Sequence, residues 1–310
     1  KNPARDGCFR AQLHALRLFH PGHGWLDAPR GSAAWAAAVG GFGLSGLIIE
    51  AQLQLAPAPA TVALQPIAVD SLAAAAAVLD QHRDAMLLYG WHDARPHRFG
   101  RGIIRVGHAR AAAQQPAVPA DTALPAAIRP LPLRLWSPAS LALANTWMRW
   151  RWQRLRTQSL AAALLPLDGA DSYFAAYGPR GLIEAQWLWS LPRFPELAER
   201  LAALVRQQRP LIPLLSSKLF DGAGEGVAFD GKGVALALHV LADARGKAFL
   251  RAFNALALAH GGRPNPIKQS GLDAETLRAA LPDLDGWRMR LDRVDGERLF
   301  RSELSRRLAW

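Results

Sequence analysis

The chain has 310 residues, half of them hydrophobic, and Lys plus Arg outnumber Asp plus Glu by 12. That length and apolar content support a buried core in one large or two modest domains and exclude a disordered chain. The single cysteine, Cys8, excludes an intrachain disulfide and any multi-cysteine zinc or iron–sulfur site, and every long apolar run is interrupted by Arg, Asp or Pro before it reaches transmembrane length.

The basic excess fits an anionic partner or an Arg-rich compositional drift, and composition alone does not choose between them. The lone cysteine fits a reducing compartment, so a cytoplasmic or peripherally membrane-associated protein is expected. The chain starts at Lys1 without Met and without a signal-peptide pattern, which reads as a fragment or a processed product.

In chain order, Leu16 and Leu18 alternate with Arg17 and Phe19, and the turn from His20 to Gly24 leads back into Trp25-Leu26, predicting a β-hairpin. Ser32 is placed to cap a short Ala/Trp-rich helix to Val39. Gly40-Gly41-Phe42-Gly43-Leu44-Ser45-Gly46 then feeds a β-branched apolar run over 47–55, which reads as a close-approach loop entering a buried strand. Pro57 and Pro59 close this segment and mark a boundary.

Beyond it, strand over 62–69, helix from an Asp70 cap to about His82, and strand over 85–91 set an α+β rhythm. The Ala/Pro/Gln-rich stretch 111–132 reads as a surface loop. Residues 147–156 interleave Trp147, Trp150 and Trp152 with Arg149, Arg151, Arg154 and Arg156. This stretch fits a solvated helix with inward tryptophans, an anionic membrane surface, or nucleic acid.

The strand over 182–191 places Ile183, Ala185, Trp187 and Trp189 on one face and Glu184, Gln186 and Leu188 on the other. A helix follows from Pro195 to Gln208, then strands over 216–220 and 233–241, a helix over 248–260 ended by Gly261-Gly262, and a helix capped by Asp273 with Leu272 and Leu277 as its staple. A last helix is expected over 296–308.

Backbone N–H groups exposed in a glycine-rich turn can approach a phosphate or a flavin. The strand pattern after the turn, and the lack of a Lys-Ser/Thr pair, argue against a Rossmann unit or a P-loop. No Gly-x-Ser-x-Gly elbow or His-Glu-x-x-His helix is present, and His20 and His23 lie in a Pro/Gly turn without a third ligand nearby. Lysines are scarce beside arginine, which gives weight to those a site would need as compact, titratable amines. Lys268 is one of them, presented by the Pro-stiffened loop Pro264-Asn265-Pro266-Ile267-Lys268.

The glycine stretch, the Tyr177-Gly178-Pro179 turn, the Lys218-Leu219-Phe220 strand and the closing region from Gly261 to Leu308 together resemble the FAD-linked oxidases of the vanillyl-alcohol-oxidase type, whose FAD domain is of the PCMH type. Within that family the likeness is to the decaprenylphosphoryl-ribose 2′-oxidase branch, over nearly the full chain. The resemblance implies an α+β fold in which 1–58 is the second part of an FAD-binding domain, 59–258 an antiparallel-sheet substrate cap, and 259–310 a segment returning to the FAD domain. It also implies that the first part of the FAD domain precedes Lys1.

It further implies non-covalently bound FAD and oxidation of a secondary alcohol of a sugar or polyol, polyprenyl-phosphate-linked in the bacterial cell-wall branch, by hydride transfer to flavin N5. By position, Lys268 and Lys218 match catalytic residues, Gln186, Trp91 and Glu184 match the substrate pocket, and Lys1, Gly41, Gly43, Gly46, Ile48 and Asn265 match cofactor contacts. A short-chain dehydrogenase partner is implied by the resemblance; from the residues themselves, peripheral contact with anionic membrane through 147–156 is expected and nucleic acid is not. The chain departs from the family at Leu164, Glu184, Ala235, Ala237 and Asn265, which implies an altered substrate. The alternative is a degenerate member that serves as a membrane-surface or partner-binding subunit without catalysis.

Overall fold

Two antiparallel sheets organise the chain in a computed structural model that describes residues 6–110, 129–167, 169–269 and 271–310. The first sheet holds β1 (Leu13–His20), β2 (Gly24–Pro29) and β3 (Leu47–Leu53) in the order β2-β1-β3. Helix α1 (Ala33–Ala38) follows β2, with the Ser32 hydroxyl accepting from the Trp35 amide as the sequence predicts. Leu16, Leu18 and Trp35 close a small apolar core between this helix and the sheet.

The strand after the glycine turn differs from expectation. All seven residues of β3 are exposed, Ile48 and Ile49 at about half their surface. An apolar β-branched run reads as buried because burial is its usual reward, yet β3 is an edge strand, and no element of the described residues covers it.

The second sheet has eight strands in the order β11-β8-β10-β9-β5-β6-β4-β7. In chain order these are β4 (Thr61–Val69), β5 (Leu87–His92), β6 (Gly102–Arg110), β7 (Arg156–Ser159), β8 (Leu182–Trp189), β9 (Leu214–Asp221), β10 (Lys232–Leu241) and β11 (Arg263–Pro264). One face carries α2 (Leu72–Gln81), α6 (Phe194–Gln208) and α7 (Ala244–Ala259). Leu197, Leu201 and Val205 recur at helical spacing on α6, and with Phe249 and Phe253 of α7 they bury Trp187 and Trp189 of β8 almost completely. The face predicted for Ala185, Trp187 and Trp189 is therefore the core face.

Some local expectations are corrected. Ser71, not Asp70, caps α2, its hydroxyl accepting from Ala74 N. Helix α7 begins at Ala244 because the Asp243 carboxylate takes the Gly246 amide. The helix expected over 296–308 is instead a shorter α10 (Glu303–Arg307) preceded by α9 (Leu284–Val294), because the buried Asp295 carboxylate accepts from the amides of Leu299 and Phe300 and stops the chain there.

Helix α3 (Pro138–Trp152) turns only Trp152 inward, leaving Trp147 and Trp150 exposed, against the inward-tryptophan reading. The remaining helices are α4 (Leu160–Leu164), α5 (Asp171–Ala175) and α8 (Ala274–Ala280), the last capped by Asp273 as expected. Lys1, most of the 111–132 loop (111–128) and Asp168 lie outside the described residues.

Candidate functional site

Antiparallel pairing sets side chains in rows across the sheet face that turns away from α2, α6 and α7. One row runs Leu188, Ala235, Lys218, Tyr89, Arg105 across β8, β10, β9, β5 and β6. The next runs Gln186, Ala237, Ser216, Trp91, Ile103, and a third begins with Glu184 and His239. Lys218, Gln186, Glu184 and Trp91, far apart in sequence, thus share one face. Ala235 and Ala237 form its low floor between the Glu184/Gln186 side and the Lys218 side.

Lys268 arrives from a separate loop. Gln186 holds that loop by its backbone and its side chain: its carbonyl accepts from Asn265 N at 2.8 Å and Gln269 Nε2 at 3.0 Å, and its Oε1 accepts from Asn265 Nδ2 at 2.8 Å. The Asn265 side-chain oxygen accepts from Ile267 N, shaping the tight turn Pro266–Lys268. Lys268 Nζ then reaches Glu184 Oε1 at 3.0 Å. Asn265, expected to touch a cofactor, has its amide committed to Gln186.

Behind this pair runs a chain of polar groups that sequence reasoning missed. His239 Nε2 lies 3.5 Å from Glu184 Oε1, His239 Nδ1 lies 2.9 Å from the Tyr173 hydroxyl, and that hydroxyl lies 2.6 Å from the Tyr177 hydroxyl. An ionised carboxylate only accepts, so His239 offers Nε2–H to Glu184, and its Nδ1 pairs with the Tyr173 hydroxyl. Burial raises the pKa of both tyrosines, which keeps them protonated. His239 alternates with Ala237 and Ala235 along β10, but the link to Tyr173 exists only in three dimensions.

The electrostatics separate the two lysines. Burial lowers the pKa of Lys218, and the charge of nearby Lys268 lowers it further, with Glu184 opposing. Burial pushes Glu184 upward, but the hydrogen bond from His239 and the charge of Lys268 together outweigh it and leave the carboxyl below its ordinary value. Burial thus shifts Lys218 toward its neutral form, whereas Lys268, half-exposed, is held in an ion pair with Glu184.

Beyond the Lys218 row a cleft of about 640 Å³ opens between the two sheets. Leu13, Leu16, Ile48 and Ala51 wall one side, Leu87, Leu88 and Phe220 the other, and Lys218 stands in its lining. Mostly apolar walls beside a cation are the kind of lining that takes a flat aromatic ring, and Ile48, expected from the resemblance to touch FAD, belongs to that lining.

Gly40 also lines the cleft, whereas Gly41, Gly43 and Gly46 do not. Gly41 sits where a Cβ would meet the Ala37 carbonyl, Gly43 has a positive φ over open space, and Gly46 passes close to the Phe19 carbonyl. Their geometry serves the turn from α1 into β3. Lys1 lies outside the described residues.

A buried Ser–His pair also occurs: His92 Nε2 lies 2.7 Å from Ser217 Oγ on the helix-covered face. Burial pushes His92 down to about 4, so it is neutral, and both residues are almost wholly inaccessible, which makes the pair a packing contact. No cluster of potential metal ligands occurs among the described residues, and no helix there is long and apolar enough to cross a membrane.

No family model matches the chain. It is 28% identical over 335 residues to an uncharacterized protein in the mprA 5′ region of Streptomyces coelicolor, spanning 99% of this chain and 89% of that protein. It is 25% identical over 337 residues to the decaprenylphosphoryl-β-D-ribose oxidase of Mycolicibacterium smegmatis, spanning 99% of this chain and 71% of the relative. Among solved structures, a solvent-stable cholesterol oxidase superposes with a TM-score of 0.59 at 15% identity, covering 98% of this chain and 70% of that one. A cholesterol oxidase from B. sterolicum gives 0.55 at 12% identity, covering 99% and 71%. The architecture, two antiparallel sheets flanked by helices, is the α+β arrangement of these cholesterol oxidases, and the sequence similarity to the decaprenylphosphoryl-β-D-ribose oxidase is distant.

Proposed function

We propose that the protein is an FAD-dependent oxidoreductase acting on a CH–OH group, with a sugar or polyol as substrate, polyprenyl-phosphate-linked in the finer form of this reading. The observation that carries it is that Glu184, Gln186 and Trp91 share one sheet face with Lys218, that Lys268 is tied to this face through Glu184, and that Lys218 also lines an apolar cleft. FAD, when bound, supplies the two-electron acceptor.

The protein's part is proton management and orientation. The Lys218 amine, shifted by burial toward its neutral form, accepts the hydroxyl proton, while the Lys268 cation steadies the developing alkoxide. Glu184 fixes Lys268 and the Gln186 carbonyl fixes its loop, while Trp91, expected in the substrate pocket, is buried against Trp152 and supports the sheet face instead of lining an open wall. The alanine floor suits a bulkier group than a polar residue at 235 or 237 would admit.

The test is anaerobic reduction of protein-bound FAD by a panel of polyols and polyprenyl-phosphate pentoses, followed at the flavin's visible absorbance. Lys268→Ala and Lys218→Met should each lose reduction by on the order of a hundredfold while keeping FAD. A protein that remains colourless with FAD, or variants that reduce it at the original rate, would reject the reading.

A further inference from the structure

We propose that the outer face of α3 is a docking surface for an anionic phospholipid bilayer. The helix has two stripes. Leu141, Asn145, Met148 and Trp152 recur on the inner one: Leu141 and Asn145 are buried, Asn145 donates to the buried Asp93 at 2.8 Å, and Trp152 packs edge-on to Tyr89 and beside Trp91. The outer stripe, about half a turn away, presents Leu143, Trp147 and Trp150, each more than half exposed.

The cations stand on the same side. Arg151 lies over the Trp147 ring at 5.3 Å and Arg154 over the Trp150 ring at 4.3 Å. Neither arginine, nor Arg149 or Arg156, has a carboxylate partner among the described residues. Residues 129–167 hold six arginines, at 129, 134, 149, 151, 154 and 156, and no acidic residue. Leu133 before the helix and Leu155 and Leu165 after it are also widely exposed.

The combination selects the partner. A bare apolar face would fit many proteins and a bare basic face any polyanion. Tryptophans and leucines interleaved with unpaired arginines match a surface with a phosphate layer above an apolar interior. Single-stranded nucleic acid would stack on aromatic rings, but both exposed rings already carry an arginine over one face, and exposed leucines offer it nothing.

The stripe also has a position relative to the candidate site. Trp152 on the inner stripe rests on Tyr89 and Trp91, and Arg105 from the polar sheet face donates to the Arg154 carbonyl at 2.7 Å and to the Leu64 carbonyl at 3.1 Å. A bilayer on the outer stripe would hold that sheet face within one helix diameter of the lipid headgroups. The docking surface stands on the exposed face alone and does not depend on the proposed chemistry.

Co-sedimentation of the full chain with vesicles of phosphatidylcholine alone, or with 30% phosphatidylglycerol, tests it at 0.1 M and 0.5 M NaCl. The protein should pellet with the anionic vesicles at 0.1 M salt, and binding should fall at least tenfold on neutral vesicles or at high salt. Trp147→Ser/Trp150→Ser keeps every charge and Arg151→Gln/Arg154→Gln keeps every tryptophan. Each should weaken anionic-vesicle binding at least tenfold, with an unchanged melting temperature showing an intact fold.

No binding to anionic vesicles overturns the proposal, as does equal binding by the tryptophan variant, which would assign attraction to the general basic surface. Loss of self-association in the variants without any vesicle binding would overturn it in favour of a second copy of the chain. Tighter binding to a single-stranded RNA oligonucleotide than to vesicles, lost in the same variants, would overturn it in favour of nucleic acid.

Discussion

Replacing Glu184 by Gln removes one charge from the centre of the polar face while keeping shape and a hydrogen-bond acceptor. Lys268 Nζ stands 3.0 Å from the carboxylate and His239 Nε2 3.5 Å. At that lysine separation Coulomb attraction is roughly 1.4 kcal/mol in a water-like medium and roughly 5 kcal/mol at an effective dielectric near 20. The Lys268 side chain is 47% exposed, so solvent screening places the pair near the lower figure. Gln can still accept from His239, so a net loss of about 1–2 kcal/mol at pH 7 follows.

The sign with pH is definite. Burial raises the Glu184 pKa, but His239 and Lys268 lower it more, so the folded value lies below the unfolded one. A depressed carboxyl stabilises the fold fully above its unfolded pKa, and that contribution is lost as pH falls through the folded value. Urea unfolding of parent and variant between pH 3 and 8 should show a gap that is constant near neutrality and closes below about pH 4. A gap that does not narrow as pH falls below about 4, or none at pH 7, would refute the charge pairing.

Lys218→Met should stabilise the chain at neutral pH, because burial penalises the charged amine. In the parent the unfolded chain holds more protons than the folded one between the depressed pKa and about 10.4, so parent stability should rise with pH across that window and the Met variant should not follow. Calorimetric melting from pH 7 to 10 checks this. Gly40→Ala places a Cβ 2.5 Å from the Ala228 Cβ at a φ of +77°, whereas Gly43→Ala meets open space at +76°. Both incur about 1 kcal/mol of left-handed strain, and only Gly40→Ala should lose about 1–3 kcal/mol more in a urea titration.

Sequence pattern was informative where local chemistry decides the outcome. The Ser32 and Asp273 caps, the β1–β2 hairpin, the α6 stripe and the two-sided β8 are all present. Such features depend on residues within a few positions of one another. It failed where a distant partner decides. β6 escaped notice although its residues from Gly102 to Gly107 are all buried, because Arg105 breaks its apolar run and is satisfied by carbonyls distant in sequence, among them those of Leu64 and Arg154. Ile48 looked like a core residue because a sequence cannot tell a central strand from an edge strand. The Tyr173–His239–Glu184 connection needs register across β8 and β10 together with the placement of α5, none of which leaves a local signature.

Glu184, Ala235 and Ala237 make physical sense as a set. Alone, a carboxylate at 184 would be a largely buried charge without compensation. Here it sits between two groups that need it: Lys268, whose charge bears on Lys218 nearby, and His239, whose other nitrogen is paired with the Tyr173 hydroxyl. Glu184 supplies the negative charge that lets two lysines share one face, and it orients an imidazole that would otherwise be free to flip. Ala235 and Ala237 then separate that charged side from Lys218 with nothing taller than a methyl group.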